Sequence, residues 1–450
     1  MRFLFSGKNI LRSSVVSIIW FFLLICIMVA MAATGVAYAG PDVDARGGVY
    51  QTGLDHPEEP SNLLPRIEER NTEKDSLLPV SPLGWLHDST DKAKQELYEA
   101  TGLKLGFTMT HLFQWLSEAL PGEDTWGTAT TTDLVGNWDL IDKGEATLGQ
   151  AVFLVQGRWD YGTTGPQDMA ISSLGSLLGT ANTFAAYTPT FILRNIYWRQ
   201  GSPQAGWAYR LGKISPDALL GTSTHIGAPT TFLPTASTGP FSIALPDSGL
   251  GAVGGWYINN RAALVGLVSD ANGNRFDWGD ISAGDFFKAA ELHVKVAPRT
   301  PKAGYSKLTL WHTDGTQDGL PSNGMNGPSG WGFFVKYEQE LTADGRAIGI
   351  LRYGKSFEDS AFYDQQASAH FLLYDPPLLH RLRNDLIGVA FNWVNATNGV
   401  RDEYDVEGFY RFPLFPHVDM TLSYQFVINP ALDLGIDRAS VFSMRIRTNF

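Results

Sequence analysis

The chain has 450 residues, a formal net charge of −12 and one cysteine, Cys26. So acidic a chain has no basic surface with which to displace counterions from phosphates, which excludes nucleic acid as a partner. One cysteine excludes an intramolecular disulfide framework, the usual staple of an exported domain.

The first residues carry Arg2, Lys8 and Arg12 with no acid, and an apolar run follows from Val15 to Val36, ending at Ala37-Tyr38-Ala39. That is the layout of an export signal cleaved after Ala39. The run is long, and an uncleaved membrane anchor is the other reading of it. Removing residues 1–39 takes the net charge to about −15 and removes Cys26. Ile25 before that cysteine is too bulky for a lipoprotein signal. After Ala39 no stretch reaches the ~18 apolar residues of a membrane-spanning helix.

Residues 40–87 hold Pro41, Pro57, Pro60, Pro65, Pro79 and Pro82 among acids such as Glu58, Glu59, Glu68 and Glu69. Such composition predicts a flexible periplasmic segment. Residues 88–101, DSTDKAKQELYEAT, read as a short helix, with Asp88 or Ser89 at its cap and Gly102 as its stop.

From residue 102 onward the hydrophobic period becomes two. The odd positions of 103–115 read Leu, Leu, Phe, Met, His, Phe, Trp, and the even ones are mostly polar. The same alternation returns in 147–160, 288–296, 331–340 and 385–394, where Ile387, Val389, Phe391 and Trp393 share a face. Strict alternation marks half-buried strands. Charged polar faces and aromatic strand ends such as Trp115, Trp159 and Tyr337 favour a membrane barrel over a soluble sandwich. At roughly 20 residues per strand and turn, residues 102–450 accommodate about 16 to 18 strands. A barrel of that size encloses an aqueous channel. The Gly/Pro-rich stretches 215–250 and 312–330 read as extracellular loops, one of which could fold inward and narrow the pore.

The chain ends on an alternating strand. Phe442, Met444, Ile446, Thr448 and Phe450 share one face, and Ser443, Arg445, Arg447 and Asn449 share the other. A last strand ending in Phe450 looks like the signal read by barrel-assembly machinery. The fold class is therefore all-β: a transmembrane antiparallel barrel of about 16 strands with a short N-terminal helix.

The C-terminal third resembles the carbohydrate-selective porin family of the OprB type. The resemblance rests on Asp405-Val406-Glu407-Gly408-Phe409-Tyr410-Arg411, on Tyr424-Gln425-Phe426-Val427-Ile428-Asn429-Pro430, and on the closing Met444 through Phe450. Weaker echoes are Tyr209 through Lys213, Arg352-Tyr353-Gly354, and Trp85 through Leu105. The resemblance implies a 16-stranded outer-membrane barrel that passes sugars by diffusion.

One motif suggests other chemistry. Gly349 through Ser356 satisfies the phosphate-loop expression, but Ile350, Leu351, Arg352 and Tyr353 favour a strand, and no buried strand precedes them. None of the nine histidines stands at metal-ligand spacing, and no nucleophile elbow occurs. The expectation is a porin without cofactor, metal or catalytic residues. Its partners would be neutral sugars or other small solutes, outer-membrane lipid and the assembly machinery, with oligomerisation left open. By strand parity the charged residues facing the lumen are Arg158, Asp160, Arg210, Glu291, Lys295, Lys336, Glu338, Glu407, Arg411, Arg445 and Arg447. Glu407 and Arg411 lead as solute contacts, with a structural role in the barrel wall as the competing reading. A general or anion-selective porin would share all these features except sugar preference. A secreted adhesin or an outer-membrane enzyme is a more distant rival.

Overall fold

The computed structural model describes residues 60, 63–65, 67, 75–188, 190–259, 261–296, 304–315, 328–342, 344–376 and 384–450. The expected export signal, and most of the Pro/Glu-rich segment, lie outside the described residues. Sixteen antiparallel strands form one closed barrel in sequence order. They are β1 (Leu103–Leu116), β2 (Trp126–Ile141), β3 (Gly149–Asp160), β4 (Phe191–Ser202), β5 (Trp207–Ile214), β6 (Gly249–Asn259), β7 (Ala262–Asp270) and β8 (Phe286–Val296). There follow β9 (Gly304–Thr313), β10 (Gly330–Glu340), β11 (Ala347–Phe357), β12 (Tyr363–Tyr374), β13 (Leu386–Ala396), β14 (Glu403–Phe415), β15 (Val418–Ile428) and β16 (Arg438–Asn449). Pairing of β16 with β1, from Thr108 opposite Asn449 to Leu116 opposite Val441, closes the ring and leaves no free edge.

The period-two pattern sorts side chains between lipid and interior. On β1 the odd residues Met109, Phe113 and Trp115 are exposed outward, while Thr108, Thr110, Leu112 and Gln114 are buried inward. On β13, Val389 and Phe391 face out and Ala390 and Asn392 face in. Outward aromatics gather near the two rims: Trp115, Trp126 and Trp331 at one, Trp138, Trp207 and Trp256 at the other. Such girdles suit a lipid interface.

The interior is not simply polar. Two connections at one rim, residues 161–190 and 215–248, turn into the barrel and pack apolar side chains on its inner wall. Leu220, Ile243 and Leu245 sit with Val253, Leu267, Phe287 and Phe334. Ile226 and Phe232 meet Ile348, Ile350, Leu372 and Phe409, and Phe184 and Leu233 meet Leu112 and Ala129. Each such fully buried side chain contributes about 1.5–3 kcal/mol, so these loops are fixed parts of the barrel core. They contain two short helices, α2 (Pro166–Ser172) and α3 (Thr235–Thr238), numbered after the helix at the opposite rim.

That first helix, α1 (Gly84–Thr101), starts four residues before Asp88, with Leu83 at its cap and no capping side chain. Ser89 does not cap it; its hydroxyl donates to the Trp85 carbonyl at 2.8 Å. Gly102 ends it in the left-handed conformation (φ 79°), its N–H on Tyr98 O, and the chain turns straight into β1. Parts of the Pro/Glu-rich segment are seated inside this same rim. Leu64 and Ile67, 1% and 2% exposed, pack with the inward-facing Val135 and Leu154.

Candidate functional site

The inner wall carries its charges on alternate residues, and most of them reach the backbone of the two inward loops. On β14, Glu403, Asp405 and Glu407 face inward in succession and are buried. Glu403 accepts hydrogen bonds from the Ser176 hydroxyl and from the N–H groups of Leu177 (2.9 Å), Leu178 (3.0 Å) and Ala431 (3.2 Å). Asp405 accepts from the Asn392 amide at 3.0 Å, and the Asn392 amide also donates to the Ser237 hydroxyl at 2.8 Å. Glu407 accepts from Leu233 N at 3.0 Å.

Cations hold the carbonyls of the second loop. Arg411 donates to Thr230 O at 3.1 Å, and Arg445 donates to Thr231 O at 2.7 Å and to Ala228 O. Arg352 donates to Ser237 O and Lys336 to Thr222 O. Lys336 also lies 2.7 Å from Glu338. Glu291 accepts from Gly221 N and from the Thr309 hydroxyl, both at 2.6 Å, with His293 at 2.5 Å and Lys307 at 3.3 Å. Gly221 adopts φ 60°, and a Cβ there would come within 2.8 Å of Pro240, so only glycine presents this N–H to the wall. In a low-dielectric interior these charge-assisted bonds are the strong ones. The wall therefore grips the loops by their main chains.

The other residues expected in the lumen are placed as follows. Arg447 donates to Thr110 Oγ1 at 2.9 Å and Asn449 Oδ1 at 3.1 Å, near the chain-end rim. Arg210 is buried, lies 5.9 Å from the Tyr197 ring and stands opposite Arg199 in register. Lys295 is half-buried opposite Tyr305, and Asp160 is half-buried at the end of β3. Arg158 belongs to a group on β2–β5, where it donates to Gln156 Oε1 and lies over the Tyr187 ring. Glu403, Asp405 and Arg352 were legible by the same strand parity but are absent from the expected set. Arg275, which sits in a loop, had no periodic signal at all.

At the chain-end rim, Phe450 and Phe107 exchange backbone bonds, Phe450 N to Phe107 O at 2.7 Å and Phe107 N to Phe450 O at 2.9 Å, which completes the β1–β16 seam. The Phe450 ring also stacks on His87 of α1 at 4.2 Å, and His87 stacks on His417 at 4.0 Å. Burial, followed by the neighbouring His417, pushes the His87 imidazole down to about 4. The phosphate-loop lookalike, residues 349–356, lies wholly within β11, and its Lys355 pairs with Asp364 at 3.3 Å.

A closed sixteen-stranded barrel, apolar outside and narrowed by inward loops, defines this chain as a porin, an outer-membrane protein. Residues 245–450 match the model of the carbohydrate-selective porin, OprB family. Among solved structures, the high-pH structure of Pseudomonas putida OprB is similar at a TM-score of 0.65 and 12% identity, over 80% of this chain and 97% of that one. The low-pH structure of that protein gives a TM-score of 0.49 at 10% identity, with the same coverage. No curated protein matches the sequence.

Proposed function

We propose that neutral sugars cross the outer membrane by passive diffusion through the space left between the two inward loops and the wall. The supporting observation is the grip of the wall on loop 215–248: Glu291, Lys336, Arg352, Glu407, Arg411 and Arg445 each bond its main chain. A pore that discriminates by width needs a constriction whose position does not drift. In this reading Glu407 and Arg411 set the aperture and do not themselves bind solute. The long-loop rim faces outside, and α1 lies on the periplasmic side. No chemical step is needed; the lumen replaces part of a solute's hydration with fixed hydrogen-bonding groups. Swelling of liposomes carrying the purified protein, with neutral sugars of graded size, tests this. Swelling rates should fall steeply with sugar size and be insensitive to the sign of a competing small ion. Equal exclusion of all sugars while salt passes freely would overturn the reading.

A further inference from the structure

The chain ahead of α1 enters the barrel at its α1 rim. The described residues of the stretch 60–67 are helical. Pro60, Leu63, Leu64 and Ile67 stand at i, i+3, i+4 and i+7, the spacing of one apolar helix face. Pro60, Leu64 and Ile67 are buried and Leu63 is half-buried, while Pro65 is exposed.

This face has a fitted seat on the inner wall. Gly106, Val135 and Leu154 stand side by side in register on β1, β2 and β3. Leu64 and Ile67 pack on Val135 and Leu154. Their δ-methyl carbons also lie 2.8 Å and 2.9 Å from the place that a Cβ on Gly106 would take. The seat is open to them because position 106 carries no side chain. The next inward row, deeper in the barrel, is Thr108, Asp133 and Gln156, which is polar. An apolar row at the mouth of a water-filled barrel favours a cover that removes it from water.

The stretch is also kept close by the chain that follows. Leu77 and Leu78 donate their N–H groups to Pro413 O and Leu414 O, each at 2.9 Å, at the end of β14. That strand is reached from β2 through β1, β16 and β15, so the two attachments lie at separate points of the same rim. The barrel does not need the helix: β16 closes on β1 without it, and α1 docks through its own ring stack.

We propose that residues 60–67 are an autoinhibitory stopper. Seated on Gly106, Val135 and Leu154, they narrow the mouth of the pore on the α1 side; released, they open it. The tie at residues 77–78 keeps the released stretch at a high effective concentration, so it reseats readily. The proposal depends on the chain being a pore and not on which solute the pore passes.

Single-channel current in planar bilayers, carried by salt alone, tests this. The wild type should show a lower and a higher conductance level as the stopper seats and leaves. Leu64→Asp combined with Ile67→Asp puts two carboxylates into the apolar seat and should abolish the lower level. A second arm acts on channels already inserted, so that misassembly cannot imitate the result. It uses Leu64→Cys with Cys26→Ser, which makes the introduced thiol the only one in the chain. A bulky maleimide reacts there when the stopper leaves and then prevents its return. The current should move to the higher level and stay there. Pro65→Cys in the same background, at a position exposed while the stopper is seated, should react faster than Leu64→Cys. A current that neither the aspartates nor the maleimide raises overturns the inference. So does equal reactivity of the Leu64→Cys and Pro65→Cys variants. If the double aspartate variant fails to insert, the maleimide arm decides by itself.

Discussion

Glu407 shows how one side chain can define an aperture from a distance. Its carboxylate is buried on β14 and accepts from the N–H of Leu233, a residue of the second inward loop. Alanine there leaves a buried N–H unsatisfied, a cost of about 1–3 kcal/mol. Glutamine keeps an acceptor oxygen in place. Glu407→Ala is therefore expected to speed amide exchange over residues 228–236 and to raise open-channel current noise, with Glu407→Gln close to wild type. Unchanged protection of those amides in the alanine variant would show that the loop is held by its apolar packing alone. Arg411 works by the same logic with the opposite sign of charge, since it holds a carbonyl where Glu407 holds an N–H. The two bonds end on Thr230 and Leu233, three residues apart in one loop.

At the level of elements, α1 is tied to the barrel by a stack of three rings, His87 between His417 and Phe450. His417 sits in the turn joining β14 to β15, at φ 68°. Asp88, Asp91 and Lys94 of the same helix are the other charged groups acting on His87. The folded imidazole titrates near 4, below its ordinary value of 6.5. The unfolded or undocked form therefore binds the proton more readily. Docking is at full strength above pH 6.5, weakens as pH falls from 6.5 towards 4, and changes little below that. Hydrogen exchange over residues 84–101, corrected for intrinsic rates, should accelerate between pH 7 and pH 5. His87→Phe keeps the stacking without a titratable group and should abolish that acceleration. A wild-type helix equally protected at both values would refute the assignment. The connections at the long-loop rim behave differently, because their contacts to the wall are apolar side chains and charge-assisted main-chain bonds.

For the whole molecule, the decisive property is that a closed barrel satisfies every strand's backbone while presenting one face to lipid and the other to the interior. Phe391 is 46% exposed on the outer face of β13, and Arg411 is 5% exposed on the inner face of β14. An arginine on the lipid face costs roughly 2–4 kcal/mol at midplane. Phe391→Arg should accordingly reduce the heat-modifiable, folded band on electrophoresis, while Arg411→Ala should still assemble and change only the aperture. Normal assembly of the first with failure of the second would invert the assigned faces. The exposed groove around Gly254 and Gly266, lined by Leu211, Ala252, Ala290 and Leu310, lies on this outer face and has no part in the path of solutes.

The sequence by itself determined the barrel. Alternation is a local property, so each strand carried its own lipid face and lumen face, and the parity of Glu291, Lys336, Glu407 and Arg445 was readable residue by residue. A closed barrel was the expectation from the number of such strands, and the pairing of β16 with β1 closes it. The start of α1 at Gly84 was not readable, because no capping side chain marks it and its docking rests on His417 and Phe450, which are more than 300 residues away in sequence. The roles of the lumen charges were likewise beyond the sequence. Parity says that Glu407 points inward, but only the folded loop says that Leu233 waits there. The Arg158, Arg194 and Arg275 cluster is assembled from two strands and a loop around Tyr187 of another loop, and no spacing in the chain encodes that meeting. Local periodicity fixes which face a residue takes; which partner it finds there depends on long-range loop packing, and that exists only in the tertiary structure.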